Sequence, residues 1–261
     1  EAAISHIGIP DNLSVEITIS CAAPAGSATG TSAAVTVALI GALARLNNWQ
    51  VAPAQAAQIA HKVETELLGQ QSGIQDQICA AHGGINFIEM TDYPQAKTSQ
   101  LGISPEILFE LEQRLVLIYL GSAHQSSQVH QMVIDSLEDQ GSEFALLNHL
   151  RNLAQNAYTA LLLGDLIEFG MVMKQNNEAQ RSLHPALIST AADQAIEIAS
   201  DYGALGWKVN GAGGEGGSIT ILCDGTPGSK QKMIAGIETE NSNFKHIPTR
   251  ICSAGLDVRV S

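Results

Sequence analysis

Two glycine-rich loops and two carboxylates are the parts of this 261-residue chain whose residue types and spacing suit chemistry. The first loop, Pro24-Ala25-Gly26-Ser27-Ala28-Thr29-Gly30-Thr31-Ser32-Ala33, is built of small residues and runs straight into a helical pattern. Free backbone N–H groups at a helix N-terminus, together with the helix dipole, make a ready site for phosphate. Gly26 and Gly30 let the backbone approach an anion closely. Thr31 and Ser32 can cap the helix or turn a hydroxyl toward a metal-bound phosphate. The same residues also read as an ordinary capped loop ahead of a core helix. No Lys follows Gly30, so the loop is not a Walker A sequence.

The second loop, 211–217, contains a formal GxGxxG match in Gly211, Gly213 and Gly216. A dinucleotide site would need a helix after it, with the pyrophosphate on that helix's N-terminus. Ser218-Ile219-Thr220-Ile221-Leu222 is a strand pattern instead, which rejects that reading. What remains is a glycine-rich turn between strands, where Gly213, Gly214 and their neighbours permit close packing against another backbone. Between the loops lie the carboxylates. Glu64 falls near the end of a helix, where the dipole disfavours a negative charge, so it needs a compensating cation or hydrogen bonds. Asp76 falls in the first turn of the next helix, where the dipole favours the ionised form and makes it a modest proton acceptor. Taken singly, each also reads as a solvated surface acid.

The elements that must hold these residues follow from periodicity and punctuation. Strands are predicted at 14–21, 85–90, 114–120, 207–210, 218–223 and 256–260. Helices are predicted at 32–46, 53–68, 74–82, 126–138, 143–163, 165–177, 185–202 and 230–238. The 32–46 segment is apolar all round, which predicts burial on every face. The polar stretch 94–105 reads as a connection between domains. Strands and helices mix without a regular βαβ beat, so the fold class is α+β.

Composition narrows the function. With 26 acidic and 13 basic side chains the formal charge is −13. An acidic chain without a basic run argues against nucleic acid or an anionic membrane as partner. The longest apolar stretch, 33–46, is broken by Arg45 and falls short of a bilayer span. Cys21, Cys79, Cys223 and Cys252 are widely spaced, without a CxxC pair, and read as free or buried thiols of a cytoplasmic protein.

Three segments in order resemble the GHMP kinase superfamily, named for its galactokinase, homoserine kinase, mevalonate kinase and phosphomevalonate kinase members. The family's P-x3-G-L-G-S-S-A-A loop is matched by PAGSATGTSAA at 24–34. Its E…G…GxxDQ signature is matched by Glu64, Gly69, Gly73, Asp76 and Gln77, and its G-A-K-x-x-G-A-G-G-G-G by GWKVNGAGGEGG at 206–217. The run 75–89 looks most like the bacterial heptose-phosphate kinase and fucokinase branch. The resemblance spans 14–260. It implies a ribosomal-S5-like N-terminal half, 1–113, carrying the ATP site, and a ferredoxin-like C-terminal half, 114–261, with the active site between.

Carried over residue by residue, the resemblance implies ATP and Mg²⁺ as cofactors. Pro24, Gly26, Ser27, Ala28, Thr29, Gly30, Thr31 and Ser32 would wrap the ATP phosphates. Ser32 and Glu64 would hold Mg²⁺, and Asp76 would face the acceptor hydroxyl. Gly211, Gly213 and Gly214 would brace the phosphate loop and complete the nucleotide site. Three residues depart from the pattern: Ala28-Thr29 stands for Gly-Leu, Trp207 for a small residue, and Glu215 for a glycine. Glu215 is expected to point outward, since its charge would otherwise oppose bound phosphate. The strands and glycine-rich turn that open the family do not precede position 14, so the chain is expected to be N-terminally truncated and inactive by itself. The acceptor implied is a sugar or sugar phosphate, either a heptose 7-phosphate or a neutral hexose such as galactose or fucose. A phosphorylated acceptor calls for basic residues, of which these segments hold few. His124 reads either as a ligand-reading loop residue or as a helix cap. A non-catalytic sugar- or nucleotide-binding protein of the same family is the alternative function, although such a protein has no need of Glu64 and Asp76.

Overall fold

The computed structural model describes residues 1–123, 133–134, 144–211 and 213–260. It divides into two compact units, one made of Glu1–Ala22, Gly30–Leu101 and Ile251–Ser261, the other of Ala23–Thr29 and Gly102–Arg250. Helices and antiparallel strands are mixed in an α+β arrangement, as the order of patterns predicts.

The first unit is a helical cluster with a small hairpin. α1 (Ala2–Ile7) leads it, and α2 (Thr31–Leu46) starts at Gly30, whose φ of 67° suits the glycine. α3 (Pro53–Lys62) opens with a proline where the missing N–H costs nothing. Val37 and Ile40 of α2 pack against Ala56, Ala57 and Ala60 of α3 and against Ile74 and Ile78, at and within α4 (Gln75–His82). Burial of α2 on every face is not found: Ala34, Ala38, Ala42 and Arg45 form an exposed stripe. Alanine counts as apolar in a periodicity reading, yet it costs little on an outer face, so a run of alanines hides the amphipathic pattern.

The helix predicted to Leu68 changes character before it ends. Val63–Leu67 is a π-helical turn, closed by Leu68 N–H to the Val63 carbonyl, and Gly69 stops it at φ 65°. The wider turn puts Val63 and Glu64 together on the buried side. Beyond α4, β1 (Asn86–Asp92) pairs with β2 (Gln95–Gln100) in an antiparallel hairpin, from Asn86↔Gln100 to Asp92↔Gln95. The stretch 94–105 is therefore half strand rather than a connection. Its inward residues are Ala96 and Thr98, too weakly apolar to show a period of two.

Two predicted strands are absent. Segment 14–21 has the β-branched alternation of a strand, but among the described residues no ladder forms on it. Ile17 and Ile19 are 41% and 58% exposed. Propensity alone does not make a strand without a neighbour's N–H and C=O groups. Segment 256–260 spends its backbone elsewhere: Leu256 N–H bonds the Ala81 carbonyl at the end of α4, and Leu256 and Val258 side chains close over Gly41.

The second unit is built on a four-stranded antiparallel sheet in the order β4 (Gly206–Val209), β5 (Ser218–Leu222), β3 (Leu115–Tyr119), β6 (Lys245–Ile247). β6, three residues long, carries too short a pattern to be predicted. Val116, Ile118, Ile219 and Ile221 pack against Ala192, Ala195 and Ala199 of α8 (Thr190–Asp201) and Met233 and Ile237 of α9 (Ser229–Glu240). Each such fully buried isoleucine stabilises the unit by about 1.5–3 kcal/mol. α5 (Pro105–Arg114) was not foreseen, although Ser104 accepts from Ile107 N–H and Pro105 opens the first turn, a start signal of ordinary form.

α6 (Phe144–Leu163) and α7 (Leu166–Leu183) form an antiparallel pair through Leu153, Val172 and Ala179, and α7 runs on past the predicted end at 177. Gly170 of α7 lies so close to Leu205 and Gly206 that no side chain fits there. The helix predicted at 185–202 is split: a 3₁₀ turn, Pro185–Leu187, is followed by Ser189, whose side chain accepts from Ala192 N–H to start α8. Arg181 joins α7 to α8 through Asp193. His124 and the helix predicted at 126–138 lie outside the described residues, except for helical 133–134. Among the described residues no helix is long and apolar enough to cross a membrane.

Candidate functional site

Glu64 is 3% exposed, which overturns its reading as a solvated surface acid. A carboxylate taken out of water must be hydrogen-bonded, and three donors converge on it. Ser32 Oγ donates to Oε1 at 2.7 Å and Gln77 Nε2 to Oε2 at 2.5 Å, while the single Ser72 hydroxyl proton is shared between Oε2 at 3.3 Å and the Gly73 carbonyl at 3.0 Å. These are the compensating hydrogen bonds that its position at a helix end requires. Ser32, in the first turn of α2, thus spends its hydroxyl on Glu64, and no side chain caps the helix. Ser72 is itself fixed, because its carbonyl meets Tyr93 Oη at 3.0 Å and His61 Nε2 at 3.2 Å.

Asp76 stands in the first turn of α4, as predicted, and is exposed. Its carboxyl group lies against the Cα of Gly30: a Cβ added there would sit 3.3 Å from Asp76 Cβ and Cγ. One turn further along α4, burial first and the Asp76 charge second push the Cys79 thiol up. Ser32, Glu64, Gln77, Gly30 and Asp76 therefore form one group within the first unit.

The loop before α2 has a backbone suited to anions. Gly26, Ala28 and Gly30 take φ values of 70°, 54° and 67°, so left-handed residues recur at every second position. Such alternation is the backbone pattern of an anion-binding nest, with the Ser27 N–H already bonded to the Pro24 carbonyl at 3.3 Å. Residues Ala23–Thr29 of this loop belong to the second unit. There Ser27 is 1% exposed, its hydroxyl 2.8 Å from that of Thr29, and its carbonyl accepts from Ser218 Oγ at 2.5 Å. Gly211 lies beside Ala28, with a Cβ at Gly211 placed 3.6 Å from the Ala28 methyl.

Gly213 and Gly214 are buried elsewhere in the same unit, against Leu187 and Ile188. Gly214 N–H bonds the Leu187 carbonyl, and Gly216 and Gly217 press on Ser122. The close packing predicted for this turn is found, and Glu215 is exposed. Gln180 Nε2 donates to the Gly211 carbonyl at 3.1 Å, while its Oε1 accepts from Lys208 Nζ at 3.2 Å.

Burial pushes the Lys208 ammonium down to about 8 from its ordinary 10.5. On the neighbouring residue of β4, the Trp207 ring carries the Lys174 Nζ 4.3 Å from its centre. The unfolded chain keeps the Lys208 proton up to about pH 10.5, whereas the folded chain releases it near pH 8. Folding stability therefore gains as pH rises from 8 to 10.5, and the gain is absent below pH 8. Lys208→Met is expected to raise the free energy of unfolding at pH 7 by on the order of 2 kcal/mol, read as a higher urea midpoint, with the advantage shrinking by pH 10.5. Equal midpoint shifts at both pH values would contradict it.

Comparison with known proteins places the chain. The profile described as GHMP kinases N terminal domain matches residues 2–84, and that described as GHMP kinases C terminal matches residues 157–233. Together they cover more than half of the sequence. The chain belongs to the GHMP kinase family. It is similar to the D-glycero-alpha-D-manno-heptose 7-phosphate kinase of Campylobacter jejuni, at 27% identity over 217 residues, 83% of this chain and 63% of that protein. It is similar to the mevalonate kinase of Thermococcus sibiricus, at 30% identity over 248 residues, 94% of this chain and 69% of that one. The crystal structure of a D-glycero-D-manno-heptose 1-phosphate kinase from Bacteriodes thetaiotaomicron shares the fold, with a TM-score of 0.67 at 24% identity, over 89% of this chain and 63% of that one. The chain thus spans less than two thirds of the length of both heptose kinases.

Within this GHMP kinase, sequence reading missed the residues that support the carboxylate. Gln77 stands in the E…G…GxxDQ signature and Ser72 in the loop before it, and neither carries a local sign of its contact with Glu64. His61 sits three residues before Glu64 on the same helix face, a spacing that was open to inspection. Nothing local pointed to Tyr93, which arrives from the hairpin with its ring 5.5 Å from that of His61.

Proposed function

We propose that this GHMP kinase is a cytoplasmic enzyme that transfers the γ-phosphoryl group of ATP, with Mg²⁺, to a hydroxyl of a sugar or sugar phosphate. The observation that carries this is the buried Glu64 carboxylate tied to Ser32 at the uncapped start of α2, directly after a loop with left-handed residues at every second position. The sugar class is supported by the heptose 7-phosphate kinase of Campylobacter jejuni. Four unpaired thiols fit a reducing compartment.

The donor set fits Mg²⁺. One carboxylate and one hydroxyl are hard oxygen donors, and Mg²⁺ commonly takes one or two carboxylates beside waters and substrate phosphates rather than an all-protein cage. No cluster of three or more metal-ligating acids, histidines or cysteines exists among the described residues, in keeping with such a site. Gln77 Oε1 is buried and accepts no hydrogen bond among the described residues, a polar atom beside Glu64 still unsatisfied. Ser32 and Glu64 would hold the ion, which neutralises phosphate charge when bound.

The chain's own groups do the positioning. Backbone N–H groups of 26–32 bind and orient the phosphates, a task to which phosphoryl transfer is mainly reduced. Gly211 supports the loop at Ala28, and Gly213 and Gly214 hold the turn that carries Gly211. Asp76 orients the acceptor hydroxyl and takes its proton late, as the oxygen bonds to phosphorus and the bond to ADP breaks.

An ADP-release assay with Mg·ATP and a panel of heptose 7-phosphate, galactose, fucose, mannose and mevalonate tests the reading. Turnover with a heptose phosphate or a hexose is expected. ATP binding without turnover on any acceptor would replace the enzyme by a binding protein. Glu64→Gln should raise the Mg²⁺ concentration for half-activity at least about tenfold, and an unchanged titration would remove Glu64 from metal binding.

A further inference from the structure

A chain of three hydrogen bonds runs through the second unit into the loop at 24–29, through side chains to which the function above gives no part. Thr220 Oγ1 meets Asn210 Oδ1 at 2.8 Å, Asn210 Nδ2 meets Ser218 Oγ at 2.9 Å, and Ser218 Oγ meets the Ser27 carbonyl at 2.5 Å. Ser218 is 0% exposed and Ser27 1%. The direction of every proton follows from one end. A carbonyl only accepts, so Ser218 spends its single proton on Ser27. Its oxygen must then accept from the amide of Asn210, which turns Asn210 Oδ1 toward Thr220, and Thr220 must donate. Reversing Ser218 or flipping the Asn210 amide draws the proton away from Ser27, and the Thr220 bond holds the amide against that flip.

We infer that Asn210, Ser218 and Thr220 are positioning residues, an ordered proton chain that fixes the Ser27 carbonyl and through it the phosphate-binding backbone. They touch no substrate in this reading; they act through the loop. Their effect on nucleotide affinity rests on the kinase function proposed above, whereas their effect on the loop does not. The chain starts on β5 and at the end of β4, elements held by the sheet core, so the loop borrows rigidity from the most buried part of its unit. Without the Ser218 proton the Ser27 carbonyl is a buried acceptor left empty, which a loop relieves by moving.

Asn210→Asp tests the ordering at constant volume. An aspartate cannot donate, so the Ser218 proton turns to residue 210 and Ser27 loses its partner. Hydrogen exchange at 24–29 is expected to speed up about tenfold, and ATP to bind about tenfold more weakly, with the KM for the acceptor unchanged. Ser218→Ala should give the same two changes without a new charge. The double variant separates the causes. An ordered chain is broken once, so Asn210→Asp adds nothing to Ser218→Ala, whereas a charge effect on ATP would add in full. Thr220→Val, on a half-covered residue, is the milder break should Asn210→Asp not fold, and should show the same exchange change at smaller size.

Unchanged exchange at 24–29 in folded variants overturns the proposal, as does full additivity. Should the wild type bind no ATP, the kinase reading fails, and exchange at 24–29 alone decides whether the chain positions the loop.

Discussion

Asp76→Asn should lower kcat by about 10²–10⁴-fold while leaving the Kd for ATP close to that of the wild type. The side chain lies against Gly30 Cα, and asparagine has the same shape, so the contact and the start of α2 are kept. What is lost is the capacity to take a proton. The donors that would meet phosphate are backbone N–H groups of 26–32, which the substitution does not touch. Turnover and nucleotide affinity should therefore separate, the mark of an interaction used on the way to the transition state and not in binding. A variant keeping more than a third of its turnover would end this role for Asp76, and one losing ATP affinity in parallel would make it a structural residue of the loop.

Gly213→Ala should be the most damaging small substitution in the second unit. A Cβ at Gly213 would lie 1.8 Å from the Leu187 carbonyl oxygen, and the residue holds φ at 65°. The obstructing atom is backbone, bonded into the contact between Gly214 and Leu187–Ile188, so no rotamer change relieves it. Strain from φ alone is worth about 1–2 kcal/mol; with the clash, the loss should exceed about 3 kcal/mol in urea unfolding. Gly203→Ala is the control, since Gly203 has φ 76° but nothing within 4 Å of the added atom. It should lose only the backbone share. Similar losses in both would mean that the turn yields and that its close packing matters little.

What could be read from the sequence was mostly local. Gly30, Pro53 and Gly69 punctuate helices through backbone conformation, and each stands at the boundary it marks. The placing of Asp76 in a first turn is likewise a matter of a few residues. The environment of Glu64 was not legible, because its donors come from positions 32, 72 and 77 and meet only after packing. A carboxylate's own neighbours in sequence do not say whether it is solvated or held. The exposed alanines of α2 and the weakly apolar β2 were missed for a different reason: hydrophobicity contrast carries the period, and alanine, threonine and serine supply little of it. Ser104-Pro105 was a readable start signal that the polar composition of its surroundings obscured.

The return of the tail to the first unit bears on how the protein is made. From Ile251 onward the chain packs with residues synthesised first: Gly84 N–H bonds the Cys252 carbonyl, Leu256 N–H bonds the Ala81 carbonyl, and Gly255 fits closely against Ala81. A ribosome adding about 5–20 residues per second takes on the order of ten seconds to cross the intervening second unit. During that interval α2 and α4 stand without the segment that covers Gly41 and the end of α4. The first unit is thus completed only after the second has been made, and its nascent form is the one that stands open in the meantime.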